Sequence, residues 1–171
     1  LSGETANGKY PIKAVKMMAK IANEYESDVN TSILEDIKSE SELDNHSISM
    51  FVTRAAYLAS NFLETSAIFT PTESGFTARK VSRFKPKVPI YAMVHSETIL
   101  RQLQLSFGVY AIKVKQNKNV NKMVFETIKY VYGKKLLKKN EKVIITSGHL
   151  AKTGHTNTLE IYKVSQIVGE K

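Results

Sequence analysis

Residues 89–112 read Pro89-Ile90-Tyr91-Ala92-Met93-Val94, then His95-Ser96-Glu97-Thr98-Ile99-Leu100-Arg101-Gln102-Leu103-Gln104-Leu105-Ser106-Phe107, then Gly108-Val109-Tyr110-Ala111-Ile112. The first run carries no charge and is the length of a buried strand. Ser96 is placed to cap a helix whose Ile99, Leu100 and Leu103 share one face, and Gly108 supplies the stop. Val109 to Ile112 is a strand again. Strand, helix and strand in that order predict two parallel strands with the helix laid across them. Apolar runs without alternation predict burial on both faces of the sheet.

The same rhythm extends in both directions. Upstream, Ile48, Phe51, Val52, Ala55, Ala56, Ala59 and Phe62 recur at helical spacing, so 47–63 reads as an amphipathic helix. Ala67-Ile68-Phe69-Thr70 is a short strand stopped by Pro71, and Phe76 to Phe84 a helix with a basic outer face. Downstream, Val120, Val124, Ile128 and Val131 mark a helix over 119–133. Strands follow at 142–146 and 158–164; the second alternates more and reads as an edge strand. A connection of about eleven residues lets this last pair run antiparallel. The expectation is a three-layer α/β fold: a mostly parallel five-stranded sheet, helices on both faces and an antiparallel edge strand. Ahead of it, Ile12, Val15, Met18, Ala19, Ala22 and Tyr25 form a stripe on a helix opened by Pro11. Residues 27–46 are polar and acidic and read as a linker, with a short helical turn around Ile33-Leu34. The domains expected are therefore 1–26, a linker 27–46, and 47–171.

Composition narrows the function classes. Of 171 residues 42% are hydrophobic and 24% charged, a globular balance. The absence of Cys removes disulfide scaffolds, zinc fingers and thiol chemistry. No apolar run approaches the roughly 20 residues of a membrane span, and no signal peptide opens the chain. A cytoplasmic location is expected, and a chain that starts Leu1-Ser2-Gly3 without Met is expected to be cut from something longer. The net charge of +9 is uneven: residues 1–65 hold six basic and ten acidic residues, 66–171 nineteen and six. Such a split suits an anionic partner. The runs Lys113-Val114-Lys115 and Lys134 to Lys139 lack interleaved aromatics, so a nucleic-acid surface is not expected. No membrane partner is expected either.

Two segments could hold an anion. In a parallel α/β sheet, ligands sit beyond the carboxyl ends of the strands, where helix N-termini present free N–H groups. Thr70-Pro71-Thr72-Glu73-Ser74-Gly75-Phe76-Thr77-Ala78-Arg79 follows the first strand and places three hydroxyls and a Gly before a helix. Taken alone it reads more readily as an ordinary cap. Glu73 opposes an anion, at a cost of roughly 1 kcal/mol per charge pair at 4 Å in water-like surroundings. The second segment is Ser147-Gly148-His149-Leu150-Ala151-Lys152-Thr153-Gly154-His155-Thr156-Asn157, where Lys152 and two His could meet another phosphate; it reads equally as an exposed hairpin connection. His149 and His155 have no acidic partner at ligand spacing, so no metal site is expected. Walker loops, Gly-x-Ser-x-Gly elbows and paired carboxylates are absent from the sequence.

Taken together, these stretches resemble a known family. Leu1-Ser2-Gly3-Glu4-Thr5-Ala6-Asn7-Gly8-Lys9-Tyr10-Pro11, with Ala14-Val15 and Met18, is similar to the end of the barrel domain of pyruvate kinases. Thr70 to Ala78, Val81-Ser82-Arg83-Phe84-Lys85-Pro86-Lys87-Val88-Pro89-Ile90, Arg101-Gln102-Leu103, Gly108-Val109-Tyr110 and Gly154-His155-Thr156-Asn157-Thr158-Leu159 resemble their carboxyl-terminal domain. The resemblance implies a phosphotransferase of the last step of glycolysis, moving phosphate from phosphoenolpyruvate to ADP with Mg and K in the full-length enzyme. It makes residues 1–26 a remnant of the catalytic barrel and 47–171 the allosteric domain. Only Ser2 comes near the family's active site, so the chain alone is expected to be inactive and to need no cofactor. The expected partners are the rest of the barrel domain, three further copies in a tetramer, and a sugar-phosphate effector such as fructose 1,6-bisphosphate. The effector's phosphate would lie on Thr72, Ser74, Gly75, Phe76 and Thr77, with Lys152, Thr153, Gly154 and His155 closing over the sugar. Bisphosphate-activated animal forms carry Lys at the position of Glu73, Arg at that of Phe76, and a second Arg near Lys122-Met123. A structural tetramerisation domain with a vestigial pocket is the alternative. Freed of the barrel, the helix of residues 1–25 is expected to fray or to pair with another copy, so proteases should cut within 1–46 and spare 47–165.

Overall fold

The computed structural model describes residues 1–39, 47–117, 119–148 and 156–169. The chain divides into two compact units, Leu1–Leu43 and Asp44–Lys171. The first holds α1 (Ser2–Ala6) and α2 (Pro11–Ser39). Pro11 opens α2, where a missing N–H costs nothing. The helix does not end near Tyr25 but runs on to Ser39, through most of the expected linker. No Gly or Pro interrupts 12–39, and acidic polar residues end a helix only when a breaker joins them. The turn around Ile33-Leu34 is part of this helix; residues 40–46 lie outside the described residues. Ile12, Val15, Met18 and Tyr25 of the predicted stripe are exposed.

The second unit alternates as the sequence implied. α3 (Ile48–Phe62) leads to β1 (Ala67–Pro71), α4 (Phe76–Arg83), β2 (Ile90–Val94), α5 (Glu97–Leu103), β3 (Val109–Lys113), α6 (Val120–Gly133), β4 (Lys142–Ser147), β5 (Thr158–Lys163) and α7 (Val164–Val168). The strands form one sheet in the order β3-β2-β1-β4-β5. β1 pairs in parallel with β2 and β4, and β2 with β3. β5 runs antiparallel at the edge, with Lys142 opposite Lys163 and Ser147 opposite Thr158.

Alternation along the strands builds two cores. Phe69, Tyr91, Met93, Val143 and Ile145 meet Met123, Val124, Ile128 and Val131 of α6 and Val164 and Ile167 of α7. On the other face Ile68, Ile90, Ala92, Val94 and Ile144 meet Ala56 of α3, Ala78 and Val81 of α4 and Leu103 of α5. The three-layer α/β fold with helices on both faces and an antiparallel edge strand is thus present. Burial on both sides is why β1 and β2 read as unbroken apolar runs.

Four local expectations change. α5 ends at Leu103, and Gly108, at φ 66°, instead turns the chain into β3. Ser96 occupies the N-cap position without a side-chain capping bond. Val164 leaves the strand to start α7, because Val164 and Ile167 fall on one helical face and both bury. The largest change concerns α3. Its buried residues are Ser49, Thr53, Ala56, Tyr57 and Ser60, whereas Ile48, Phe51 and Phe62 are exposed, Phe62 at 82%. Small residues let the helix lie close to the sheet, and their hydroxyls satisfy themselves locally. Thr53 Oγ1 donates to the Ser49 carbonyl at 2.8 Å and Ser60 Oγ to that of Tyr57 at 2.7 Å. Tyr57 stacks on Phe84, and Lys142 Nζ donates to the Leu63 carbonyl at the end of the helix.

Candidate functional site

The strand order reverses direction between β1 and β4: α4 and α5 carry the chain outward to β3, and α6 brings it back across to β4. In open α/β sheets the crevice at such a reversal, beyond the carboxyl ends of the strands, is where ligands bind. The segment after β1 occupies it. Pro71 ends the strand, and the Thr72 N–H donates to the Met93 carbonyl at 3.0 Å. That donor is therefore spent on the sheet and not offered to a ligand. The chain then turns through Glu73 and Ser74 to Gly75, the N-cap of α4, at φ 78°. Only Gly adopts this left-handed conformation without strain, and space excludes a side chain as well. An added Cβ would lie 2.7 Å from Arg79 Nη1 and 3.1 Å from Leu103 Cδ2.

The N-cap residue itself, Gly75, has no side chain with which to cap α4. Thr72 and Ser74 precede the helix and Thr77 lies in its first turn, and among the described residues none of their hydroxyls accepts from a first-turn N–H. The first intrahelical bond runs from the Arg79 N–H to the Gly75 carbonyl, and the N–H groups of the first turn have no side-chain acceptor among the described residues. The helix dipole behind them gives this end a partial positive charge, the setting in which helix N-termini can take an anion.

Arg79 was not a candidate in the sequence, and it changes the electrostatics. Its guanidinium folds back over the Ser74–Gly75 peptide and Nη2 donates to the Ser74 carbonyl at 2.8 Å. Lys80 Nζ lies 4.8 Å from the centre of the half-buried Phe76 ring. Positive charge thus reaches the loop from one turn along α4, offsetting the exposed Glu73. Arg79 stands four residues after Gly75, on the same helical face as the turn, a spacing that permits this contact without requiring it.

Thr77 points inward. Its Oγ1 lies 2.7 Å from that of Thr156, and the Thr156 N–H donates to Ser49 Oγ of α3 at 3.0 Å. The next residue, Asn157, donates its N–H to the carbonyl of Ser147, which ends β4. Thr72, Ser74, Gly75, Phe76 and Thr77 therefore share one turn, and the segment entering β5 reaches that turn through Thr156. Lys152, Thr153, Gly154, His155 and His149 lie outside the described residues. Ser2 belongs to α1 of the other unit. Beside the turn, Thr70 and Thr146 at the ends of β1 and β4 are fully buried with hydroxyls that have no partner among the described residues. Among those residues no three His, Asp or Glu side chains converge as metal ligands.

Comparison with known proteins agrees with this geometry. The family described as pyruvate kinase, alpha/beta domain, matches residues 51–162, from the first turn of α3 to the last residue but one of β5. The chain is 33% identical to the pyruvate kinase of Bacillus licheniformis over 99% of its length and 29% of the relative's. It is 34% identical to that of Clostridium acetobutylicum and 37% to that of Thermococcus litoralis, each over 96% of this chain and 34% of the relative. It spans about a third of the length of these curated relatives. Matched by that family over residues 51–162 and similar along nearly its whole length to these relatives, the chain belongs to the pyruvate kinase alpha/beta-domain family.

Proposed function

We propose that residues 47–171 are the regulatory domain of a pyruvate kinase, an enzyme transferring phosphate from phosphoenolpyruvate to ADP, and that the turn at Thr72–Thr77 receives the phosphate of a sugar-phosphate effector. The N-terminus of α4, without a side-chain cap among the described residues and set at the strand-order reversal, carries this reading. Its N–H groups and the Ser74 hydroxyl would donate, Arg79 would add charge, and Lys152 to His155 would close over the sugar. The chain by itself would not catalyse, since phosphoryl transfer needs positioned phosphates and bound metal. Mg and K belong to the remainder of such an enzyme.

Calorimetry with fructose 1,6-bisphosphate, glucose 6-phosphate and sulfate tests the site. Heat with a phosphate ester that Arg79→Ala diminishes is the expected result. Silence with all three at millimolar concentration would remove the effector site.

A second reading keeps the domain but drops the effector. Glu73 is exposed beside the turn, and α3 turns Ile48, Phe51 and Phe62 outward, as a purely structural tetramerisation domain would. The two readings part on the calorimetry and agree on self-association.

A further inference from the structure

We infer that Thr156 is a positioning residue for the phosphate turn: its hydroxyl sets the direction of the Thr77 hydroxyl, and its amide ties that setting to α3. The inference rests on reading the first turn of α4 as an anion site. Thr77 is 7% exposed and Thr156 1%, so the bond between them is not diluted by water.

At 2.7 Å the two hydroxyls form one hydrogen bond, and either can donate. The two arrangements differ in what Thr77 offers elsewhere. When Thr77 donates to Thr156, only lone pairs remain on its oxygen, and these repel an anion. When Thr156 donates, Thr77 keeps its own proton for a second bond. A phosphate accepts hydrogen bonds at its charged oxygens, so its arrival selects the order Thr156 to Thr77 to phosphate. Such a chain strengthens each of its bonds by polarisation.

Thr156 keeps its hydroxyl within reach of Thr77 because its own N–H and that of the next residue are both anchored. Its N–H donates to Ser49 Oγ, buried in the first turn of α3, and the following N–H is held by Ser147 of β4. The bonded pairs are 79 and 107 residues apart in sequence. Three segments that share no local structure therefore meet at one threonine. Phosphate at the turn is then felt at the start of α3 through two buried bonds.

The test titrates inorganic phosphate into the whole chain, following the backbone amides of residues 74–78 by NMR. Wild type is expected to bind. Thr156→Val should bind about tenfold more weakly, the effect of losing roughly one oriented donor, and Thr156→Ser should stay within about twofold because the hydroxyl is restored. Phosphate should also slow hydrogen exchange at the wild-type Thr156 amide. Equal affinity in Thr156→Val and wild type overturns the inference while leaving the anion site intact. Thr156→Ser as weak as Thr156→Val overturns it too, since the methyl packing would then matter and not the hydroxyl. Should Thr156→Val not fold, unchanged exchange at Thr156 under saturating phosphate overturns it. A wild type that binds no phosphate overturns the anion site itself, and this inference with it.

Discussion

At the scale of single residues, two positions near the sheet's reversal point have predictable and opposite responses. Gly75 is held at φ 78° with Arg79 and Leu103 against the place of a Cβ. Gly75→Ala should lose about 1–2 kcal/mol, part of it left-handed strain and part displacement of the Arg79 guanidinium; denaturant midpoints measure the loss. Thr146 is fully buried and its hydroxyl has no partner among the described residues. Its desolvation is uncompensated there, so Thr146→Val should be neutral or gain up to about 1 kcal/mol. A clear drop in stability would show that the hydroxyl is bonded. Gly75 was legible from its place before a helix, whereas Arg79 was not: a guanidinium can fold back on its own loop or face water, and spacing alone does not choose.

Elements behave as small electrostatic systems. Glu97 opens α5 and accepts a 2.9 Å bond from Lys113 of β3, with Arg101 one turn on. The Lys113 hydrogen bond, then its charge, holds the Glu97 carboxyl below its ordinary 4.5. A lowered folded value means stabilisation present above the ordinary range and lost as pH falls through it toward the lowered value. Glu97→Gln should therefore differ from wild type in melting temperature at neutral pH, and the difference should close on acidification below 4.5. A gap that persists in acid would assign the effect to packing. The group is exposed, so the gap should also narrow in high salt. Helices and strands were read from the sequence nearly to the residue in α4, α6 and β1–β4, where apolar period and turn residues agree. α2 and α7 were misjudged where they disagreed: acidic polar residues hid a continuing helix, and β-branched Val164 imitated a strand.

For the whole molecule, the outward stripe of α3 is the feature with the widest consequence. Phe51 and Phe62 are 74% and 82% exposed, more apolar surface than a helix usually leaves to water. If the domain self-associates through that surface, Phe51→Glu and Phe62→Glu should lower the mass seen by sedimentation at a given concentration. Circular dichroism should stay unchanged, since neither side chain is buried. Dissociation without effect from either substitution would direct attention to another face.

The amino-acid sequence by itself determined the class of fold, because strand and helix periods, turn residues and two-sided apolar runs are local properties that survive without tertiary knowledge. It also determined where an anion site should be sought, since hydroxyls and Gly before a helix follow from chain order. Only the tertiary structure decided which face of α3 is buried. Periodicity favoured the bulky stripe, but small hydroxyl residues that satisfy their own backbone let the helix approach the sheet more closely. It alone decided the site's wiring as well. The bonds from Thr77 to Thr156 and from Thr156 to Ser49 join residues 79 and 107 positions apart, and nothing in a linear pattern records which distant hydroxyls the packed core will bring within reach.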